Sequence, residues 1–524
     1  MPGYSAIDVT VVPPRVELPR DYNMAADLLD RHVAEGRGER IAVIDDDGRH
    51  TYRWLAERAR RAASALSGLG LEAEQRVALC MLDTVEMPAA FLGAIALGAV
   101  PVPLNTLLTT DDYGYLLRDS RARVLIVSDA LLPKLAPVLA ELPALRAVAV
   151  APSPLGGDAG PHPRWPALVD AARPFAAHAA TTPDDVAFWL YSSGSTGKPK
   201  GAMHVHASAM YTAALYAQPI LGIRPDDVVF SAAKLFFAYG LGNSLTFPFS
   251  VGAAAVLLAE RPAPAAVLRT FASHRPTIFC GVPTLFAQLL ADPALGHLHH
   301  LRISTSAGEA LPRHVGERWR ERTGSDILDG IGSTEMLHIF LSNRPDDVCY
   351  GTTGRPVPGY ELDLRGDDGT PVPDDHEGSL WVRGPSACIG YWNDRARSLA
   401  TFHGPWTRTG DRYVRDREGR WTYSGRADDM LKVGGIWVSP FEVESALSSH
   451  PAVLEAAVVG HEDADGLTKP KAFVVLEPGA AATPDELKAH VKALLAPFKY
   501  PRWIELVGEL PKTATGKIQR FKLR

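Results

Sequence analysis

The run VAFWLYSSGSTGKPKG, residues 186–201, decides how the chain is read. Its apolar start, residues 186–190, predicts a buried strand. The residues after Tyr191 are small, hydroxylated or glycine: Ser192, Ser193, Gly194, Ser195, Thr196 and Gly197, then Lys198, Pro199 and Lys200. Such residues leave backbone N–H groups and hydroxyls free to wrap a polyphosphate, and the two lysines add charge of the right sign. An ordinary nucleotide-binding P-loop needs four residues between its glycine and Gly-Lys, with Ser or Thr after the lysine. Here only Ser195 and Thr196 separate Gly194 from Gly197-Lys198, and Pro199 comes next, so a Walker-type NTPase is disfavoured. Taken alone, the loop is open to a second reading as a plain surface turn.

Around this loop the pattern alternates. Residues 56–69 and 89–97 have helical spacing, whereas 77–81 and 122–127 read as buried strands, which predicts parallel sheet layered with helices. A second alternating block runs from 185 to about 340, then a β-rich stretch with turn signals to 423. The last hundred residues predict a strand-strand-helix-strand unit, with the boundary placed between Arg426 and Leu431. The expected fold class is α/β: a large N-terminal domain, residues 1–427, with a β-rich subdomain, and a small α+β C-terminal domain, residues 428–524. With 524 residues, 46% hydrophobic and 22% charged, the chain can bury a large core and is not a disordered one. Lys and Arg number 54 against 60 Asp and Glu, a net charge of -6, which argues against a nucleic-acid partner.

Cys80, Cys280, Cys349 and Cys388 are dispersed and read as packing residues, not a disulfide framework or a zinc site. No basic segment followed by an apolar one opens the chain, and the uncharged stretches 87–104 and 235–258 are broken by Gly, Pro, Ser or Asn. They read as buried helix-turn-strand units, so no membrane association and a cytoplasmic location are expected.

Four further strings occur in order after the loop: GIGSTE (330–335), TGD (409–411), SGRADDMLKVGG (424–435) and PKTATGK (511–517). Together with the loop they resemble the signatures of the adenylate-forming superfamily, which includes acyl-CoA synthetases, luciferases and peptide-synthetase adenylation domains. That resemblance implies a two-step reaction with ATP and Mg²⁺, then coenzyme A as co-substrate. A carboxylate attacks the α-phosphorus, pyrophosphate leaves, and a thiol then displaces AMP.

By the same resemblance, Ser192, Ser193, Gly194, Ser195, Thr196, Gly197 and Lys198 cradle phosphate. Ala307, Gly308 and Glu309, with Asp329, Gly330, Ile331, Gly332 and Ser333, form the nucleotide walls. Thr334 bonds the α-phosphate, Glu335 holds Mg²⁺, and Asp411 takes the ribose hydroxyls with help from Arg426. Read structurally, Ser333-Thr334-Glu335 would be a helix N-cap and Asp411 an exposed turn residue. Lys517 is the implied catalytic residue of the first step, its ammonium offsetting the repulsion between carboxylate and phosphate. The implied hinge is Asp428, with Lys432, Gly434 and Gly435 lining the coenzyme A tunnel after the small domain rotates.

The segment 234–243 carries Phe237 at the gate, with Ala238, Tyr239 and Gly240 facing the acyl group, and Gly332, His338 and Ile339 approach from the other side. The strings FFAYGLGN and GSTEMLHIF resemble those of benzoate-CoA ligase within the superfamily, which implies a small aromatic acid, benzoate first. A hydroxybenzoate, a 2-aminobenzoate or another small acid is the alternative. A luciferase-like oxygenase and a stand-alone adenylation domain are the alternatives of other classes. A homodimer, and a lysine acetyltransferase acting on Lys517, are partners the resemblance leaves open.

Overall fold

The computed structural model describes residues 3–192, 198–427, 429–433, 436–463, 467–495, 499–512 and 518–524. Its largest sheet has nine strands and builds outward from a parallel centre. Ile41–Asp45, Ala254–Val256, Val228–Ser231, Ile278–Gly281, Ile303–Ser306 and Ile327–Gly332 lie side by side, each adjacent pair parallel. Short antiparallel strands close both edges, Gly48–Thr51 at one and Ile339–Ser342 with Arg355–Pro356 at the other. The central strands are almost wholly buried, as expected where helices cover both faces of a parallel sheet.

A second sheet, of four parallel strands, is formed by Val100–Pro103, Arg76–Cys80, Val124–Ser128 and Ala147–Ala151. Against it packs the helix Glu86–Ala96, on which Tyr52–Gly68 lies in turn, the two seen in the sequence as helical spacing. Their approach depends on small side chains. A Cβ on Gly93 would lie 2.7 Å from the Ala59 carbonyl oxygen and 2.8 Å from the Ala62 Cβ, so any larger residue there would push the helices apart. No helix among the described residues is long and apolar enough to cross a membrane. The stretch 87–104 is indeed helix, turn and strand, and 235–258 is a run of short helices followed by Ala254–Val256.

The β-rich subdomain is the antiparallel sheet of Glu361–Arg365, Glu377–Arg383, Phe402–His403, Trp406–Arg415 and Trp421–Arg426. Beyond it, Val453–Glu462, Thr468–Leu476 and Trp503–Leu506 form a three-stranded sheet covered by the helices Pro440–Ser448 and Pro484–Leu494. That is the strand-strand-helix-strand order anticipated, with one further helix in front. It has its own core around Val443, Leu447, Val458, Val474, Leu487 and Val491. Among the four cysteines, all free, Cys80, Cys280 and Cys388 are buried and Cys349 is half-buried.

Candidate active site

The stems of the loop are fixed although its centre, Ser193, Gly194, Ser195, Thr196 and Gly197, lies outside the described residues. Val186–Ser192 pairs antiparallel with Lys200–Val205, Lys200 standing opposite Ser192. Both lysines have specific neighbours. The Lys198 ammonium lies 4.9 Å over the Tyr115 ring, and its carbonyl accepts from Arg397 Nη1 at 3.1 Å. Lys200 Nζ donates to the Tyr391 hydroxyl at 2.7 Å and lies 3.4 Å from Glu335 Oε1.

Glu335 is the centre of this cluster. Its Oε1 accepts from Tyr391 Oη at 2.7 Å and from Ser192 Oγ at 3.3 Å. Burial works against ionisation, yet the Lys200 ammonium and then the Tyr391 hydroxyl hold the carboxyl below its usual range. A half-buried, ionised carboxylate suits a hard cation such as Mg²⁺. The Thr334 carbonyl accepts from His204 Nε2 at 2.8 Å. Burial pushes His204 down to about 4, so that ring is neutral. No helix begins after Ser333-Thr334-Glu335, so the helix N-cap reading fails. The chain turns there instead, with Leu337 at φ 66°, a left-handed conformation uncommon for a branched residue.

The two implied nucleotide walls are brought together by sheet register. Ile303–Ser306 and Ile327–Gly332 are adjacent parallel strands with Ser306 opposite Asp329, so Ala307-Gly308-Glu309 and Gly330-Ile331-Gly332 leave neighbouring strand ends. Gly308 takes φ 94°, a turn open to glycine. Asp329 is buried, which pushes its carboxyl well above the usual range, and its Oδ1 has no hydrogen-bond partner among the described residues. A cleft of about 170 Å³ lined by Leu311, Pro312, Asp329, Thr353, Tyr423 and Phe441 reaches this wall from the side of the small domain. A carboxyl oxygen left unpaired beside a cleft fits a ligand that brings a hydrogen-bonding group.

Asp411 is not an exposed turn residue. It lies within the strand Trp406–Arg415, 7% exposed, directly opposite Arg426. Arg426 Nη1 donates to Asp411 Oδ1 and to the Thr409 carbonyl, both at 3.1 Å. A Cβ on Gly410 would meet Arg426 Nη2 at 2.8 Å, so the glycine of the TGD string makes room for that guanidinium.

The acyl-side residues also converge. Tyr239 Oη donates to the Thr305 carbonyl at 3.0 Å, and the Tyr239 carbonyl accepts from His338 Nε2 at 3.3 Å. The His338 ring stands edge-on to Phe247 at 4.3 Å and tilted to Tyr239 at 5.5 Å. Burial drives it down to about 3, so it is a neutral wall, and its Nδ1 has no partner among the described residues. Ile339 pairs with Gly332 across the antiparallel edge, next to a bulge. Gly332 and Gly240 are required by close approach. A Cβ would lie 2.5 Å from the His338 carbonyl oxygen at the first and 2.0 Å from the Lys234 carbonyl oxygen at the second. Phe237 packs at 4.4 Å on Phe236 and, with Ala238, remains half-buried at the start of the short helix Ala238–Leu241.

Asp428, Gly434, Gly435 and Lys517 lie outside the described residues. Lys432 is on the strand Leu431–Val433, paired with Ile436–Val438. The sequence reading missed Tyr391, His204 and Thr284, which contact Glu335, Thr334 and Glu309 respectively. His204 lies three residues beyond the loop string, and its place there was a findable signal. Tyr391 is 56 residues from its partner and carries none.

Residues 30–392 match the AMP-binding enzyme family and residues 442–517 its C-terminal domain. A benzoate-CoA ligase of Thauera aromatica is 57% identical, covering 99% of this chain and 99% of the relative. A 4-hydroxybenzoate-CoA/benzoate-CoA ligase of Rhodopseudomonas palustris is 52% identical over 96% of this chain and 94% of its own length. The crystal structure of a benzoate CoA ligase from Burkholderia xenovorans LB400 superimposes with a TM-score of 0.89 at 56% identity, covering 96% of this chain and 100% of that one. The chain belongs to the AMP-binding enzyme family.

Proposed function

We propose that this protein joins benzoate to coenzyme A through benzoyl-adenylate, with release of AMP and pyrophosphate. The observation that carries it is the single run 329–339, which brings Asp329 to Gly332, Thr334, Glu335, the neutral His338 and Ile339 together within eleven residues, from one strand through a turn to the start of the next. An acid bound against that aryl wall has its carboxylate next to the phosphate-binding residues, which turns a bimolecular meeting into a local one.

In the first step a benzoate oxygen attacks the α-phosphorus and the bond to pyrophosphate breaks. Thr334 and Lys517 stabilise the charge that develops there, and Asp411 with Arg426 orients the ribose. Glu335 would hold Mg²⁺ through its carboxylate oxygens, and the ion when bound would supply charge neutralisation at the phosphate oxygens. In the second step the coenzyme A thiol attacks the benzoyl carbon and AMP leaves. The small domain, 428–524, rotates about Asp428 so that Lys517 withdraws and the segment of Lys432, Gly434 and Gly435 faces the large one, 1–427. A cytoplasmic location, a homodimer and acetylation of Lys517 by a lysine acetyltransferase belong to the same reading. The last would remove the charge the first step uses.

A second reading, a hydroxy- or aminobenzoate as substrate, is favoured by one observation: the unpartnered Nδ1 of His338 in the aryl wall, among the described residues. Initial rates of pyrophosphate release and thioester formation over a panel of acids decide. Benzoate is expected to lead, with 4-hydroxybenzoate and 2-aminobenzoate slower because a ring substituent without a partner costs roughly 1–3 kcal/mol. A faster rate with either substituted acid selects the second reading. A faster rate with acetate or palmitate overturns both.

A further inference from the structure

The last described segments of the chain come together at their ends. Lys512 and Ile518 form an antiparallel bridge, and Gln519 N donates to the Pro511 carbonyl at 2.8 Å. On the small domain's own side Lys512 Nζ is tied to Glu455 at 2.7 Å, on the strand Val453–Glu462, with both side chains largely buried. Toward the large domain, the Ile518 N–H donates to Glu309 Oε1 at 3.3 Å. The other carboxylate oxygen is already engaged: Thr284 Oγ1, from the first turn of the helix Pro283–Ala291, donates to Glu309 Oε2 at 3.0 Å.

Ile518 is the residue directly after Lys517. From this geometry we infer that Glu309 is a positioning residue, an acceptor that docks the Lys517-bearing end of the small domain against the nucleotide wall, and that Thr284 sets the orientation of its carboxylate. This differs from the role the family resemblance implies for Glu309, which is contact with the nucleotide. The inference rests on the proposed two-step reaction, because only that reaction asks the docking to form and then break. A bond from a carboxylate to a main-chain N–H suits the task. It is charge-assisted, and it does not depend on the side chain at 518. The Lys512–Glu455 pair lies within the small domain and need not break when that domain turns, whereas the Ile518–Glu309 bond must.

The test uses the full-length protein and the variants Thr284→Val, Thr284→Ser and Glu309→Ala. Hydrogen exchange is followed in peptides covering 511–524, alongside the kinetics of pyrophosphate release. Docking predicts faster exchange in those peptides for Thr284→Val and Glu309→Ala, no change in peptides from 436–462, and recovery in Thr284→Ser, which keeps the hydroxyl. It also predicts an adenylation kcat lower by roughly three- to tenfold with KM for ATP unchanged, as loss of one such bond implies. A raised KM for ATP with kcat and exchange both unaltered would make Glu309 a nucleotide contact and overturn the inference. Unaltered exchange and kinetics in both Thr284→Val and Glu309→Ala would overturn it equally. If the unmodified protein releases no pyrophosphate with benzoate, the functional reading fails, while the exchange difference still judges the docking.

Discussion

The two halves of the candidate site are held by different physics. The proposed nucleotide and aryl walls lie at strand ends of the central sheet and on the short helix Ala238–Leu241, with Ala307, Asp329, His338 and Ile339 buried and Gly332 and Gly240 jammed against backbone carbonyls. The small domain is instead laced by ion pairs at its edges: Lys499 with Glu442, Lys512 with Glu455 and Arg520 with Glu444. It touches the large one through contacts such as the Tyr423–Phe441 ring pair at 5.5 Å and the Ile518–Glu309 bond. One half is preorganised by packing, as charge stabilisation requires. The other has to move between the two steps if the proposed reaction holds.

The largest effect that could break this contrast comes from the small domain. Lys517→Ala is expected to lower benzoate-dependent pyrophosphate release by roughly a hundred- to a thousandfold, while thioester formation from supplied benzoyl-adenylate proceeds. Equal loss in both half-reactions would mean that Lys517 does not leave between steps. In the rigid half, Gly332→Ala places a methyl group 2.5 Å from the His338 carbonyl oxygen, and the antiparallel edge must shift to admit it. Overpacking of this kind should cost about 1–3 kcal/mol in urea unfolding and most of the adenylation activity. A variant as stable and active as the parent would show the wall to be pliable.

The smallest effect concerns protons. Burial lowers His204 and His206 to about 4 and His338 to about 3, all on the large domain and all neutral at pH 7. Each takes up a proton more readily when unfolded, so each contributes stability that is present above pH 6.5 and is lost as pH falls toward its folded value. Asp83 acts in the opposite sense, its carboxyl raised to about 6 by burial, so the check is a difference between two proteins. Between pH 7 and pH 5 the Tm of the parent should fall faster than that of His206→Gln, by an amount equivalent to about 1–2 kcal/mol. Parallel curves would mean that His206 is not a buried neutral ring.

Much of the rigid half was legible because its signals are local. Residues 56–69 have the spacing of the helix Tyr52–Gly68, and the apolar run 186–190 opens the strand Val186–Ser192. Asp411 and Arg426 also belong together in the sequence, since two strands joined by a short turn put them opposite each other. The hidden part depends on register between distant strands or on single long-range contacts. Nothing near Glu335 announces Tyr391, and nothing near Glu309 announces Thr284 or Ile518. The N-cap reading of 333–335 failed for a similar reason. The strand Ile339–Ser342 pairs back across Gly332, and that pairing, not the local propensity, decides the turn.

The most direct measurement tracks one oxygen atom. With benzoate labelled with ¹⁸O in both carboxylate positions, ATP and coenzyme A, attack at the α-phosphorus leaves one benzoate oxygen bonded to that phosphorus, and the thiol then breaks its bond to carbon. The account predicts AMP carrying one ¹⁸O for each benzoyl-thioester formed. AMP free of label, or ADP and phosphate in its place, would contradict it.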